Sequence, residues 1–505
     1  MVKISLFVEL LRTRPLALFW TMAAVQAVLW TLVPSLFYSA PPGQLPVVLA
    51  IGDEYQLGTE FGPPLAFWLA AIAYRSLGLF GVYLLSQVCI VVTFWAVLSL
   101  GRAIVGEMHA VMAVLLMAGI AVFSVPTPEF GPAILAAPLW ALILYHYWQT
   151  IRAGQWYDWI ALGVEIGLLL LTTYAGLILV GLMAVYALAT EYGRSQITAT
   201  VGPWLAGVIA VIVLFPYLIW LDLAGEARFP NVATIVDNLR TWGRLIGMLV
   251  LAHLGLGFLV VLARGWVIPS RGPPPDISRE PIDPAARIYV YFFALAPVVA
   301  MGLFVLFSRR PENFVGAPLV VMSGLAVVAA AGDRVRLEHQ YLVGVAWAAL
   351  LVLPPLFVAL SIVVQPWTFA IDLKVGRPAA EMARFFSDNF QRRTGKPLAV
   401  VAGDPATAAL ISLMAPSRPS LYLEYTPEYL PRVSRLQLAE KGAIVVWPAA
   451  DPAGRPPADI RRQFPGLVPE VPHGFSRRFQ GRMPLERIGW GVIRPGSPIG
   501  LPASQ

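Results

Sequence analysis

The chain has 505 residues, of which 58% are hydrophobic and only 13% are charged. A soluble globular protein usually carries about 25% charged residues. One soluble core cannot absorb this much apolar surface, because such cores stop growing at roughly 250–300 residues. The composition therefore excludes an ordinary soluble protein and indicates an integral membrane protein. Membrane topology accounts for much of the net charge of +7, so we expect no nucleic-acid partner.

Long apolar runs predict about eleven membrane-spanning helices. The first, 16–36, has 21 uncharged residues after Lys3, Arg12 and Arg14. At 1.5 Å per residue it can cross a hydrocarbon core of about 30 Å, and we interpret it as a signal anchor. The further runs lie near 80–101, 107–124, 132–149, 157–172, 174–191, 202–222, 245–263, 287–307, 314–331 and 340–365. The boundary at 172–174 leaves open whether one long helix or two helices are present.

A shorter apolar segment, 65–80, carries Arg75 in its interior. We expect it to lie along the membrane surface rather than to cross it.

The distribution of basic residues predicts the orientation. With the N-terminus in the cytoplasm and eleven spans, twelve lysines and arginines face the cytoplasm and six lie in the outer loops before residue 366. The cytoplasmic set is Lys3, Arg12, Arg14, Arg102, Arg152, Arg194, Arg264, Arg271, Arg279, Arg287, Arg334 and Arg336; the outer set is Arg75, Arg228, Arg240, Arg244, Arg309 and Arg310. This bias follows the positive-inside rule. With an odd number of spans it predicts that the C-terminal part lies outside, which is the periplasm if the protein is in a bacterial inner membrane.

The composition of the chain changes near residue 366, where prolines and arginines become frequent and long apolar runs stop. Strand-like and helix-like segments alternate from 397 to 495. This alternation predicts a small α/β domain. We therefore expect two domains, a mainly α polytopic membrane domain at 1–365 and a C-terminal α/β extramembrane domain at 366–505.

Charge is scarce in this chain, so the acids of the outer loops stand out. Asp53, Glu54 and Glu60 lie within eight residues of the first outer loop, and Glu129 lies between prolines in the second. Carboxylates at a membrane face can act as general bases, orient a substrate hydroxyl or bind a divalent cation. The alternative is that they are solvated surface acids. The residue pattern assigns no certain cofactor.

Two other outer loops are basic. One, 228–244, ends at Arg244, and the other contains Arg309 and Arg310 beside a span. Arginine suits bidentate phosphate binding, so these side chains are candidates for binding a lipid phosphate. General contact with membrane lipid phosphates is the alternative explanation.

Several kinds of site are missing from the sequence. It has no GxxxxGK[ST] loop, no HExxH and no CxxC, and its five histidines are scattered. We therefore assign no metal ligands. Ionisable residues within the spans are rare, Glu165 being the main example, whereas an ion pump usually has more.

The stretch 52–87 resembles the first periplasmic loop of GT-C-fold glycosyltransferases. These include the protein O-mannosyltransferases, the aminoarabinose transferases of lipid A and the rhizobial lipopolysaccharide galacturonosyltransferases. The last group has Trp-Gln-x-Gly, then Pro-Pro-Leu, then Trp. The corresponding residues here are Tyr55-Gln56-Leu57-Gly58, Pro63-Pro64-Leu65 and Trp68. The likeness continues to about residue 200, with departures at Phe61–Gly62, where relatives carry basic residues, and at Thr173–Tyr174, where they carry Lys-Tyr.

The resemblance implies an inverting hexosyl- or pentosyltransferase that takes its sugar from a polyprenyl-phosphate donor and modifies a membrane lipid, an envelope glycan such as lipopolysaccharide, or a protein. It implies that Asp53, Glu54 or Glu60 is the general base and that Arg309, Arg310 or Arg244 binds the donor phosphate. Glu129, Tyr55 and Tyr174 are then candidates for substrate binding. Two alternatives remain: a silent member that binds lipid-linked glycan, and a transporter or flippase. We find no related halves of the kind that transporters have.

Overall fold

A computed structural model describes residues 5–58, 62–223, 235–265, 274–307, 316–423, 435–449, 453–465 and 467–496. Three predicted site residues, Glu60, Arg309 and Arg310, lie outside these ranges.

The part of the chain before residue 369 is almost entirely helical. Its helices are α1 (Leu6–Thr13), α2 (Pro15–Phe37), α3 (Leu45–Gly52), α4 (Leu65–Val105), α5 (Glu107–Met117), α6 (Pro132–Arg152), α7 (Trp156–Leu170), α8 (Gly176–Ala189), α9 (Glu191–Ala199), α10 (Gly202–Leu223), α11 (Ile235–Ala252), α12 (Leu254–Arg264), α13 (Pro284–Phe307), α14 (Ser323–Ala330) and α15 (Gln340–Thr368). A two-stranded antiparallel ribbon, β1 (Asp276–Ser278) with β2 (Arg334–Arg336), joins the loops before α13 and after α14.

Five of the described helices are long and apolar enough to cross a membrane, namely α2, α4, α10, α13 and α15. The count rises to seven if each of the bent pairs α8–α9 and α11–α12 forms one span. Large apolar side chains on these helices point outward; Val345 and Phe357 of α15 are each 67% exposed. Such surface is stable in lipid and not in water. The chain is therefore a multi-pass membrane protein.

Two of the predicted spans are shorter than expected. In the run 107–124, α5 stops at Met117, and in 314–331 the described α-helix begins only at Ser323. At 1.5 Å per residue, an 11-residue helix covers about 16 Å, half of a hydrocarbon core. That these two runs cross the membrane, and the total of eleven crossings, stay predictions.

Two boundaries are resolved by the backbone. The chain leaves the helical conformation at Leu77 and Gly78, so the segment before this break is set off from the longer part of α4 that follows it. Likewise α7 ends at Leu170 and α8 begins at Gly176, so the apolar stretch around 172–174 forms two helices.

The C-terminal part is an α/β fold, as the alternating pattern predicted. It contains α16 (Ala379–Thr394), β3 (Val400–Gly403), α17 (Pro405–Met414), β4 (Ser420–Tyr422), α18 (Arg435–Lys441), β5 (Ala443–Pro448), α19 (Ala458–Gln463), β6 (His473–Phe475) and β7 (Glu486–Ile493). The strand order is β4-β3-β5-β7-β6, with β4, β3 and β5 parallel and β7 antiparallel to both of its neighbours.

Helices cover both faces of this sheet. Val401 and Ile444 pack with side chains of α16 and α17, whereas Val400 and Val445 pack with side chains of α18 and α19. Burial on both faces explains why the parallel strands are continuous apolar runs.

The α/β part contacts the membrane helices through α17, which packs against α3. Ala50 of α3 lies in the same apolar cluster as the sheet residue Val401. The Tyr74 hydroxyl donates to the Leu413 carbonyl (3.4 Å), and the Ser39 and Ala40 amides donate to Val375 O (2.8 and 3.0 Å). The segment around α3 therefore packs against the C-terminal part. The domain boundary at 365–366 stays a prediction, because α15 runs on to Thr368.

Buried charges join the sheet to the end of α15. Arg477, only 8% exposed, donates to Asp372 Oδ1 (3.1 Å) and to Pro484 O (2.8 Å), and it also pairs with Glu486. Arg377 approaches the same Glu486 carboxylate at 3.3 Å. Removing one partner would leave a buried charge uncompensated, which is strongly destabilising.

Candidate active site

Asp53 lies at the C-terminal end of α3, where the first outer loop meets both α4 and the C-terminal part. Arg75 Nε donates to Asp53 Oδ1 (2.9 Å), and Arg75 Nη2 reaches the same oxygen at 2.8 Å. Arg418, from the loop between α17 and β4, places Nη1 4.0 Å from that oxygen. One carboxylate thus faces two cations that come from distant parts of the sequence.

Tyr55 follows in a strained conformation. Its φ of +51° lies in the left-handed region, which few residues other than glycine adopt. The Arg75 guanidinium lies over its ring, 4.8 Å from the centroid. This cation–π contact fixes the turn beside Asp53.

Glu54 is held within the same loop. Its Oε2 accepts from Gln56 Nε2 (3.0 Å), and the Gln56 carbonyl accepts from Trp68 Nε1 (2.9 Å). The Trp68 bond attaches the loop to the first turn of α4. Residues from both parts of the chain, including Asp53, Glu54 and Arg418, line a small cavity of about 80 Å³.

Tyr174 reaches the other end of this loop through two aromatic residues of α10. The Tyr174 and Tyr217 hydroxyls are 2.5 Å apart, and the Tyr217 ring stacks on Trp220 with centroids 5.8 Å apart. The Trp220 ring lies directly on Gly58, since a Cβ there would be 2.4 Å from Trp220 Cζ3. The structure thus joins the predicted residues Asp53, Glu54, Tyr55 and Tyr174 to one loop, 53–58.

Glu129 lies elsewhere. Its Oε1 accepts from the Gln44 amide (2.7 Å) at the N-terminal end of α3. The eight residues of α3 span about 12 Å, so Glu129 and Asp53 lie at opposite ends of this helix. The tight turn 126–131 carries Glu129 to the start of α3, and its role in substrate binding stays a prediction.

The predicted phosphate-binding residues are only partly described. Arg244 is an exposed residue of α11, and it does not line the cavity beside Asp53. Within the described ranges, no group of three or more His, Cys, Asp or Glu side chains is close enough to hold a metal ion. A divalent cation therefore gains no support from the described side chains.

Sequence reasoning missed the contacts of Arg75 and Arg418 with Asp53. Arg75 stood out as a lone charge in an apolar helix, a feature that often marks function. Arg418 carries no such signal, since arginine is common in the C-terminal part. Its φ of +44° is again in the left-handed region, so the fold holds this residue in a costly conformation beside Asp53.

Glu165 of α7 is paired within the helical part. His146 Nδ1 of α6 lies 2.7 Å from Glu165 Oε1, and both side chains are largely buried. The pair joins neighbouring helices, so Glu165 does not simply extend to solvent.

Comparison with known proteins agrees with this architecture. Residues 62–220 match the family model described as dolichyl-phosphate-mannose-protein mannosyltransferase. The solved structure of ArnT from Cupriavidus metallidurans bound to undecaprenyl phosphate aligns over 95% of this chain and 98% of its own, with a TM-score of 0.58 and 13% identity. No curated protein sequence matches the chain.

Two other structures align less well. The apo state of the same ArnT gives a TM-score of 0.48 with 14% identity over 94% of this chain and 98% of its own. The oligosaccharyltransferase AglB from Archaeoglobus fulgidus, in complex with an inhibitory peptide and a dolichol-phosphate, gives 0.41 with 13% identity over 83% and 65%. The family model covers less than half of the chain, and the likeness to ArnT, at 13% identity, shows that the two chains share a fold over nearly their whole length.

Proposed function

We propose that this protein transfers a sugar from a polyprenyl-phosphate donor to a hydroxyl group of a lipid, glycan or protein acceptor. The observation that supports this proposal most directly is the position of Asp53. A carboxylate for the acceptor lies beside two arginines for a phosphate, and Asp53 and Arg418 line one cavity beside the membrane helices. These are the charges that a phosphate-leaving sugar transfer requires.

Two observations support a lipid-phosphate donor: the arginines beside Asp53, and the fold shared with ArnT. The ArnT structure is bound to undecaprenyl phosphate, and we infer a lipid phosphate of the same class here. Arg75 and Arg418 now become the first candidates for holding that phosphate. The predicted Arg244, Arg309 and Arg310 remain further candidates.

The reaction is a single displacement. The acceptor oxygen forms a bond to the anomeric carbon while the bond from that carbon to the phosphate oxygen breaks. The electron pair leaves on the lipid phosphate, and the hydroxyl proton passes to Asp53. Attack opposite the leaving group inverts the anomeric configuration. Glu54 is the alternative base, since it lies in the same cavity.

We place this reaction at the periplasmic face of a bacterial inner membrane, with the N-terminus in the cytoplasm. The bias of basic residues supports this orientation. The contact between α3 and α17 supports placing the reaction on the same side as the C-terminal sheet.

The test is sugar transfer in purified membranes supplied with polyprenyl-phosphate sugars. A general base contributes about 10²–10⁴-fold, so Asp53→Asn should lower the rate by at least about 100-fold. Glu107→Gln is the matched control, because Glu107 forms an ion pair of the same kind with Arg102 (3.2 Å) far from the loop. Full activity of Asp53→Asn would remove Asp53 from the reaction.

A further inference from the structure

The C-terminal sheet contains a crevice at the point where its strand order reverses. From β3 the chain crosses through α17 to β4 on one side, whereas β5 pairs on the other side of β3. The helix after β3 covers one face of the sheet, and α19, which follows β5, covers the opposite face. Two connections that leave adjacent parallel strands in opposite directions open a crevice at the carboxyl ends of those strands, and open α/β sheets bind their ligands there.

The crevice is present as a cavity of about 250 Å³. Its walls come from both connections and include Gly403, Asp404, Trp447, Pro448, Asp459 and Gln463. Gly403 ends β3 with φ +111°, and a Cβ there would lie 2.0 Å from Val446 O. Only glycine allows β3 to turn this closely against β5, so the tight turn that shapes the crevice depends on this residue.

The polar groups of the crevice indicate the chemistry of its ligand. Asp404 Oδ2 accepts from the Thr407 amide (2.9 Å) and the Thr407 hydroxyl (2.6 Å), so a carboxylate already occupies the N-terminus of α17. Asp459 is an exposed second carboxylate, and Gln463 adds an amide. Among the described residues that line the crevice there is no lysine or arginine. An anionic ligand such as a nucleotide is therefore disfavoured, whereas hydroxyl donors are favoured.

We propose that this crevice binds one sugar unit of a glycan, through hydrogen bonds from its hydroxyl groups to Asp459 and Gln463. It lies at the N-terminal end of α17, and the other end of that helix contacts Tyr74 beside the candidate active site. The ten residues of α17 span about 15 Å, so the bound unit is separate from the unit that receives the new sugar. That the glycan is the acceptor rests on the proposed function; the binding itself does not.

Saturation-transfer NMR on the full-length protein tests this proposal, in a detergent without a sugar head group. The probes are glucose, galactose, mannose and glucosamine, with ADP as the anionic comparator. We expect at least one sugar to receive saturation and ADP to receive none. Asp459→Asn should raise the dissociation constant by about tenfold, the effect of replacing a hydrogen bond to a charged group by a neutral one. Gln463→Trp should raise it at least as much, because the indole fills the cavity. Asp388→Asn, an exposed aspartate of α16, is the matched control.

Three results would overturn the proposal: no saturation of any sugar, equal saturation in Asp459→Asn and the unsubstituted protein, or binding of ADP in place of sugars. Thermal unfolding of each variant establishes that it folds. Sugar binding should persist in Asp53→Asn, in which transfer is lost. The experiment therefore distinguishes an error in the proposed sugar binding by the crevice from an error in the proposed transfer reaction.

Discussion

The two ends of α3 carry acids from the two outer loops, and the structure uses these acids differently. At the N-terminal end, Glu129 accepts a backbone amide and holds the chain entering the helix. At the C-terminal end, Asp53 faces Arg75 and Arg418, two side chains that a phosphate could recruit. These two carboxylates lie at opposite ends of a helix about 12 Å long, and their partners distinguish them, although the sequence offered both as site residues. A backbone partner indicates a structural role, and arginine partners that could also bind a phosphate indicate a functional one.

The largest effect expected from the cations concerns donor binding. Arg75→Ala and Arg418→Ala together should weaken the binding of undecaprenyl phosphate by at least about tenfold, since each removes a charge-assisted contact to phosphate. Binding to the purified protein can be measured by thermal stabilisation at increasing lipid concentration. Arg102→Ala is the control at the exposed pair with Glu107. Unchanged affinity in the double variant would contradict phosphate binding by Arg75 and Arg418, and Arg244, Arg309 and Arg310 would then be the remaining candidates.

A smaller effect is expected at the distal end of the same loop. Gly58→Ala introduces a Cβ where the Trp220 ring now lies, so the indole must move and its stacking on Tyr217 is lost. We expect KM for the donor to rise by about fivefold with little change in folding, since an aromatic contact is worth about 1 kcal/mol. Gly181→Ala is a matched control, because no atom lies within 4 Å of its added Cβ. Equal KM values for the two variants would show that the stacked pair Tyr217 and Trp220 does not affect donor binding.

Glu129→Gln should affect stability rather than catalysis. The substitution keeps an acceptor for the Gln44 amide but removes its charge, which costs about 1 kcal/mol. Denaturation should therefore shift modestly while the transfer rate stays within about twofold of the parent. A loss of transfer as large as that of Asp53→Asn would show that both ends of α3 belong to the active site.

The smallest expected effect is a change in stability with pH, and it concerns the pair Arg393 and Glu470 in the C-terminal part, away from both ends of α3. A hydrogen bond from Arg393 lowers the pKa of Glu470 below its ordinary value of 4.5. Because the folded-state pKa is depressed, the pair stabilises the fold above pH 4.5, and this stabilisation is lost as the pH falls through the lowered pKa. Both side chains are about one-third exposed, so the gain is small. The Tm difference between the parent and Arg393→Gln should be constant near neutral pH and shrink in acid. A difference that grows in acid would contradict this assignment.

The sequence predicted much of the fold because its signals are local. Apolar runs located the helices, and alternating segments located β3, α17, β4, β5 and β7 in the C-terminal part. The shortened helices depend on contacts that no local pattern reveals. The chain turns after Met117 where Gly119 meets the backbone of Leu256, a Cβ there lying 2.8 Å from the Leu256 amide nitrogen. Similarly, α14 packs so closely on α5 that a Cβ at Gly324 would lie 2.2 Å from Ala113 O.

The candidate site was predicted in part: the loop that carries Asp53 was found, whereas its arginine partners were not. Asp53 and its loop were found because charge is rare in this chain and because the loop resembles a known motif. Arg418 was not found, since only the packing of α17 on α3 brings it to Asp53. The position of Glu129 could not be predicted, because proline-rich spacing indicates that a turn is rigid but not where its acid lies.

The most direct test of this account compares the two ends of α3 in one assay. Initial rates of transfer from a polyprenyl-phosphate sugar would be measured for Asp53→Asn and Glu129→Gln at equal amounts of folded protein. Our account predicts a loss of at least about 100-fold for Asp53→Asn and a change within about twofold for Glu129→Gln. Equal rates for the two variants, whether both high or both low, would contradict the assignment of the chemistry to Asp53.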